Sequence, residues 1–328
     1  MVKIKVTNEM WKDISEHHKE YIQQTSLIKL EEKIKNKDKG SKFLKTLFGG
    51  TEERRKENIV QFCLSDDLKG ILEKFYDSFE KVYGFDYIYR CDKGTMGEYK
   101  KIIEHTRNDL DYILFYEGFN TGKILKNGNK WSRHRFITSL GIRVCPYCNR
   151  QFITSYEDEQ DGNKTTADAD HYYAKAKYPI LQMNIYNLVP SCNVCNSKMK
   201  GTKESRHLYP YQDASDSLVF MIPQEIGEKV SKILINTKGN KRAEASVEVF
   251  KLDEVYQAHL AEASEIKENV KQYEEFKENS YMATYGLDVP FNVYDIWFSF
   301  TKKDISEEPL LKLKNDIFMQ LKYNAKNK

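Results

Sequence analysis

The sequence predicts an α+β protein in which mostly helical arms surround a small strand-strand-helix module with a metal-held base. Three observations carry this expectation. Apolar residues recur at intervals of three and four through much of residues 1–140, which is the helical period. From about residue 142 to 211 that period gives way to short β-prone runs and turn clusters. Two Cys-x-x-Cys pairs, Cys145/Cys148 and Cys192/Cys195, bracket this middle stretch.

A chain of 328 residues buries a sizeable core and suggests about two domains, or one with an inserted module. The division read here is 1–140, 141–211 and 212–328. A formal net charge of only +3 excludes a polycation that coats nucleic acid indiscriminately, so any phosphate-binding surface must come from local clustering. No apolar run is long enough to span a bilayer, and the first residues lack the apolar core of a signal peptide, so a cytoplasmic protein without membrane contact is expected.

In the first segment, Leu68, Ile71, Leu72, Phe75, Phe79 and Val82 mark one helical face. The lysine-rich run from Lys33 to Lys45 reads as a solvated helix end and loop around Gly40. Gly118-Phe119-Asn120-Thr121-Gly122-Lys123-Ile124 is one residue short of a phosphate-binding P-loop and lacks its Ser or Thr, so nucleotide hydrolysis there is rejected. In the middle segment Gln151–Tyr156 reads as a strand, Glu157–Lys164 as a polar turn containing Asp161-Gly162, Thr165–His171 as a second strand, and a helical turn begins near Cys192. In the last segment Leu218–Ile222, Lys232–Asn236 and Ser246–Phe250 read as strands, with Thr237–Asn240 a turn. A long amphipathic helix follows on Val255, His259, Ile266, Val270 and Tyr273, then a helix over Leu310–Leu321 and a disordered tail from Lys322.

Paired cysteines in a long chain without a secretion signal read as metal ligands, whereas the isolated Cys63 and Cys91 read as buried thiols. Two Cys-x-x-Cys pairs close a tetrahedral structural Zn2+ site with no position left for chemistry. The chemistry must come from what the clip encloses. Asp168, Asp170 and His171 end the second strand, where Asp168 and Asp170 share a face and His171 lies on the other, so Asp168 is expected at most to support Asp170 from behind rather than to bind metal itself. A histidine that titrates near neutrality suits deprotonation of water, and oxygen donors from Asp170 and Asn196 suit a hard cation such as Mg2+ or Mn2+.

Cys145-Pro-Tyr-Cys148, Asp170-His171, Asn187-Leu-Val-Pro190 and Cys192-x-x-Cys195-Asn196-x-x-x-Lys200-Gly201 resemble the HNH endonucleases, the ββα-metal or His-Me finger fold, in their zinc-stapled form. The resemblance implies His171 as general base, Asp170 and Asn196 as ligands of the catalytic metal, and Asn187 as anchor of the loop behind the base. More narrowly, residues 131–211 resemble the HNH subunits of Septu-type and retron-linked anti-phage systems. That implies a nuclease acting on DNA, or on RNA through the same centre, and held by a regulatory ATPase partner. The first family position is Asp and the last is Asn196, where many members have His; both keep an oxygen ligand. Lys200 stands four residues after Asn196, where many members have a lysine at three.

Lys175, Lys177, Lys198 and Lys200 cluster in sequence around this centre and are expected to neutralise phosphates. Of the tyrosines among them, at least half are expected to pack in the core. His207 could serve as a ligand or a base but reads rather as a surface residue near phosphate or as none of these, and His17, His18, His105, His134 and His259 read as structural or exposed. The competing reading is a non-catalytic zinc-stapled module that grips nucleic acid while the arms serve protein partners.

Overall fold

A computed structural model describes residues 1–88, 97–158, 162–203, 206–224, 227, 229–279, 285–286 and 291–326. Cys91 and Asp161 lie outside the described residues. The chain is α+β: among the described residues helices predominate, and four two-stranded antiparallel sheets punctuate them.

The first segment folds as successive helices Asn8–Gln24, Ser26–Ile34, Lys39–Phe48, Glu52–Leu64, Leu68–Tyr83 and Glu98–Leu114. Thr7, Asp38, Thr51 and Asp67 each accept the backbone N–H three residues on, satisfying an orphan donor worth about 1 kcal/mol per cap. Leu68, Ile71, Leu72, Phe75 and Phe79 are buried as their spacing predicts. The lysine-rich run is more structured than a solvated loop: Gly40 is buried inside the helix Lys39–Phe48, and Lys33 pairs with Asp109 at 2.6 Å. Gly118–Lys123 is a short helix end entering a strand, not a phosphate loop.

The middle segment pairs differently from the simple order read in the sequence. Ser155–Asp158 forms a hairpin with Gly162–Thr165, while Asp168–His171 pairs antiparallel with Leu188–Ser191. Leu188–Ser191 escapes a sequence reading because Pro190 argues against a strand; here the pair has only two members, so Pro190 needs no second partner for its missing N–H. A π-helical turn, Val194–Lys200, follows this strand and closes with Gly201 N–H donating to Asn196 O at 2.8 Å.

In the last segment Val219–Met221 pairs with Leu234–Asn236. Ser246–Phe250 is not a strand but the end of the helix Lys241–Phe250. Asn240 caps two of its N–H groups, and Ala243, Ser246 and Phe250 bury one face at helical spacing, which overrides the β preference of Val247 and Val249. The long helix Leu260–Asn279 packs on the helix Leu311–Lys326, which continues to Lys326 where disorder was expected.

One cluster of buried apolar side chains includes residues from all three segments. Tyr147 beside the first cysteine pair stacks on Phe250 with centroids 4.6 Å apart, and Ile185 N–H donates to Cys63 O at 3.0 Å. Among the described residues no helix is long and apolar enough to cross a membrane.

Candidate functional site

The four cysteines meet. The Sγ atoms of Cys145, Cys148, Cys192 and Cys195 lie within 4.8 Å of one another, all buried, and Cys148 Sγ is 4.0 Å from Cys192 Sγ. A tetrahedral zinc with Zn–S bonds of about 2.3 Å needs sulfurs about 3.8 Å apart, so the set fits zinc and is far too open for disulfides. Two local turns present the thiols. Cys145 O accepts from Asn149 N–H at 2.8 Å, with Asn149 at positive φ (51°), and Cys192 Sγ accepts from Cys195 N–H at 3.5 Å. The buried Asn149 then ties this knuckle to the last segment, donating to Ile305 O at 2.8 Å and accepting from Lys312 N–H at 3.0 Å.

His171, at the end of its strand, is half-buried with its Nε2 3.0 Å from the carbonyl of Gln182. A carbonyl only accepts, so the proton sits on Nε2 and Nδ1 keeps its lone pair. Burial pushes the imidazole down to about 3, well below the near-neutral titration expected from the sequence; the Gln182 bond opposes this, while Lys175 and Lys200 add to it, and the ring is neutral at pH 7. The Tyr116 ring meets His171 edge-on at 4.5 Å.

The carbonyl that orients the ring is itself held from the first segment. Gln182 donates its side-chain amide to Asp111 Oδ1 at 2.9 Å, and His18 Nε2 donates to Met183 O at 2.8 Å. Asn184 donates to Phe62 O at 2.7 Å and Ser65 O at 2.9 Å. Asn187 closes the loop from inside. Its Oδ1 accepts from Tyr173 N–H at 2.7 Å, and its Nδ2 donates to Tyr173 O and Leu181 O, both at 3.1 Å.

Asp168 and Asp170 share a strand face, as alternation requires, but meet opposite ends of the π-helical turn. Asp168 Oδ2 accepts from Asn193 and Asn196, both at 3.1 Å, beside an open basin of about 370 Å³ that Asp168, His171 and Asn196 line together. Asp170 departs from the expectation of a metal ligand facing Asn196. It is buried, with Oδ2 accepting from Tyr147 O–H at 2.7 Å and Oδ1 from Lys200 Nζ at 2.9 Å. Burial raises its carboxyl above the usual range, against the pull of Lys200 and Tyr147.

Lys200 also departs from its expected role. Its ammonium is fully buried, donating to Asp170 and to His171 O at 2.7 Å, so it presents no charge to a phosphate. The π-turn puts the residue four after Asn196 on the inward face, which explains the unusual spacing. Lys198 is exposed, Lys177 lies 5.8 Å over the Tyr178 ring, and Lys175 lines the basin but is paired with Glu117 at 2.6 Å. His207 is not at the surface: it is fully buried against Tyr147, Tyr172 and Phe250, with neither ring nitrogen hydrogen-bonded.

Tyr116, Arg133 and Asn193 line the basin without having been singled out in the sequence. Tyr116 and Arg133 arrive from the first segment, ahead of the cysteines, and no local pattern marks them. Asn193 was visible, since it falls inside the second Cys-x-x-Cys.

No family model matches this chain, and no solved structure matches it. A curated protein, the Septu protein PtuB of Bacillus thuringiensis, is 30% identical over 103 residues, covering 30% of this chain and 37% of that protein. The chain therefore aligns with well under half the length of this relative.

Proposed function

We propose that this chain is a metal-dependent HNH-type endonuclease that hydrolyses phosphodiesters, with DNA as the preferred substrate, and serves as the effector of an anti-phage defence complex. The observation that carries the reading is the hydrogen bond from His171 Nε2 to Gln182 O. It leaves Nδ1 with its lone pair, as a base on a ring that lines the same basin as Asp168 and Asn196. The partial similarity to a Septu protein supports the defence setting and a complex with partner proteins; in this reading the regulatory partner is an ATPase that docks on the arms.

In this reading Nδ1 of His171 takes a proton from water, the water oxygen bonds to phosphorus, and the bond to the leaving sugar oxygen breaks as that oxygen takes up a proton. A hard divalent cation, magnesium or manganese, would be held by the free oxygens of Asp168 and Asn196 and would offset charge on the phosphate. Asp168 is preferred over Asp170 for this because both oxygens of Asp170 are already bonded inside the protein. Asn187 holds the loop behind the base.

Supercoiled plasmid and a single-stranded RNA, each with magnesium or manganese, test the reading. Nicking of plasmid that His171→Ala abolishes while zinc content and melting temperature persist is the expected result; cleavage of RNA alone moves the substrate class. Asp168→Asn should raise the metal concentration for half-activity about tenfold or more, each tenfold being about 1.4 kcal/mol of binding. Undiminished cutting by His171→Ala would sink the assignment of the base, and no cutting of either polymer even with the natural partner would favour a non-catalytic binding module.

A further inference from the structure

The burial of Lys200 removes the cation that the motif places next to the phosphate, so the basin must draw its positive charge from elsewhere. Among the described residues, the basin is lined by two cations, Lys175 and Arg133. Lys175 is paired with Glu117 at 2.6 Å, which largely cancels its charge. Arg133, from the helix Arg133–Ser139 of the first segment, has no carboxylate partner among the described residues.

Its guanidinium is nevertheless held in place. One Nη donates to Ala167 O at 3.0 Å, and the other lies 3.3 Å from His134 Nε2. The Ala167 contact anchors the fork to the residue just before the strand that carries Asp168 and His171. Its Nε–H is buried with no hydrogen-bond partner. A buried donor left unmade is costly, and a planar fork with spare donors matches the oxygens of a phosphate. Ser132 sets this geometry by capping the helix, its hydroxyl accepting from Arg135 N–H at 3.3 Å.

We propose that Arg133 is the residue that receives the phosphate of the scissile phosphodiester, so that the active site is completed across the boundary between the first segment and the zinc-stapled module. The proposal rests on the nuclease reading for the reaction, but the phosphate contact has a readout of its own.

Two measurements separate them: plasmid cleavage with magnesium, and binding of a short fluorescein-labelled DNA duplex in a His171→Ala background as salt is varied. Arg133→Ala is expected to lower the cleavage rate by about 100-fold or more and to reduce the slope of log affinity against log salt by about one unit. Arg133→Lys should restore the slope, because charge returns, but recover the rate only in part, because the fork does not. Arg135→Ala, an exposed arginine of the same helix, should leave both unchanged. Arg133→Gln, which keeps an amide donor for Ala167 O, carries the test if Arg133→Ala does not fold. Cleavage within about twofold of wild type, or an unchanged salt slope, overturns the proposal. A wild type that cuts nothing while Arg133→Ala still lowers the slope sinks the nuclease reading and leaves the phosphate site standing.

Discussion

Lys200 Nζ lies 2.9 Å from Asp170 Oδ1 with the two side chains only 1% and 2% exposed, so the pair is an ion pair inside the protein rather than at its surface. Tyr147 O–H and the carbonyl of His171 complete the hydrogen bonding of the two charges. The pair joins the strand of His171 to the end of the π-turn.

Removing one partner strands the other charge. Lys200→Met is expected to cost about 3–5 kcal/mol of stability, while Asp170→Asn combined with Lys200→Met recovers much of that loss, because no lone charge remains buried. Urea denaturation of the three proteins measures this. A cost below about 1 kcal/mol for Lys200→Met would mean that the ammonium reaches water, contrary to its burial.

The four-cysteine site should bind one zinc per chain and no more under mild chelation. Cys148→Ser or Cys195→Ser is expected to abolish zinc retention and to lower the melting temperature steeply, since metal binding at such sites is folding free energy. Elemental analysis alongside thermal melts checks it. Because Asn149 ties the knuckle to Ile305 and Lys312, the loss should extend into the last segment rather than stay local.

His18 makes stability fall in acid. Its Nε2–H donates to Met183 O, its Nδ1 accepts from Trp131 Nε1–H at 3.2 Å, and burial pushes its imidazole down to about 4. The unfolded chain, with a histidine pKa of about 6.5, binds the proton more readily than the fold does. Stability is therefore full above pH ~6.5 and declines as pH falls towards 4, by on the order of 3 kcal/mol for this group. Denaturant titrations across that range should show the decline, and His18→Gln should lessen it by this group's share, because His171 and His207, both pushed down to about 3 by burial, act in the same direction; an equal slope in the variant would assign the effect elsewhere.

Asn187 satisfies three backbone groups of the loop behind His171. Asn187→Ala leaves Tyr173 N–H and Tyr173 O without these partners and Leu181 O with only Asn184 N–H at 3.1 Å, and is expected to cost about 3 kcal/mol, with each buried group lost costing about 1–3 kcal/mol. Asn187→Asp should be worse, because a carboxylate cannot donate to Tyr173 O or Leu181 O. If Asn187→Asp melts with the wild type, the loop is held mainly by His18 and Asn184.

Much of the site was legible because metal chemistry is written locally. Cys-x-x-Cys spacing alone brings two thiols to one ion, and the second pair had little choice but to join the first. The helical face of Leu68 to Phe79 was equally readable, since its period is set by a single element. Ser246–Phe250 was misread because Val247 and Val249 favour strands by type, whereas the cap at Asn240 and the burial of Phe250 decide in favour of the helix. The partner strand Leu188–Ser191 was hidden by Pro190, which is excluded only from strands paired on both sides.

The sequence by itself determined which groups are available: four thiolates for zinc, a histidine at a strand end, an asparagine just after the last cysteine, and enough helical periodicity to build arms around them. Only the tertiary structure decided what each group faces. Asp168 and Asp170 are alike in type and two residues apart, yet one meets Asn196 at the basin and the other is closed off by Lys200 and Tyr147. Arg133 and Tyr116 enter the basin, and Lys200 leaves it, because packing of the first segment against the module sets their positions. Burial and charge pairing are sums over residues far apart in the chain, so no local pattern encodes them.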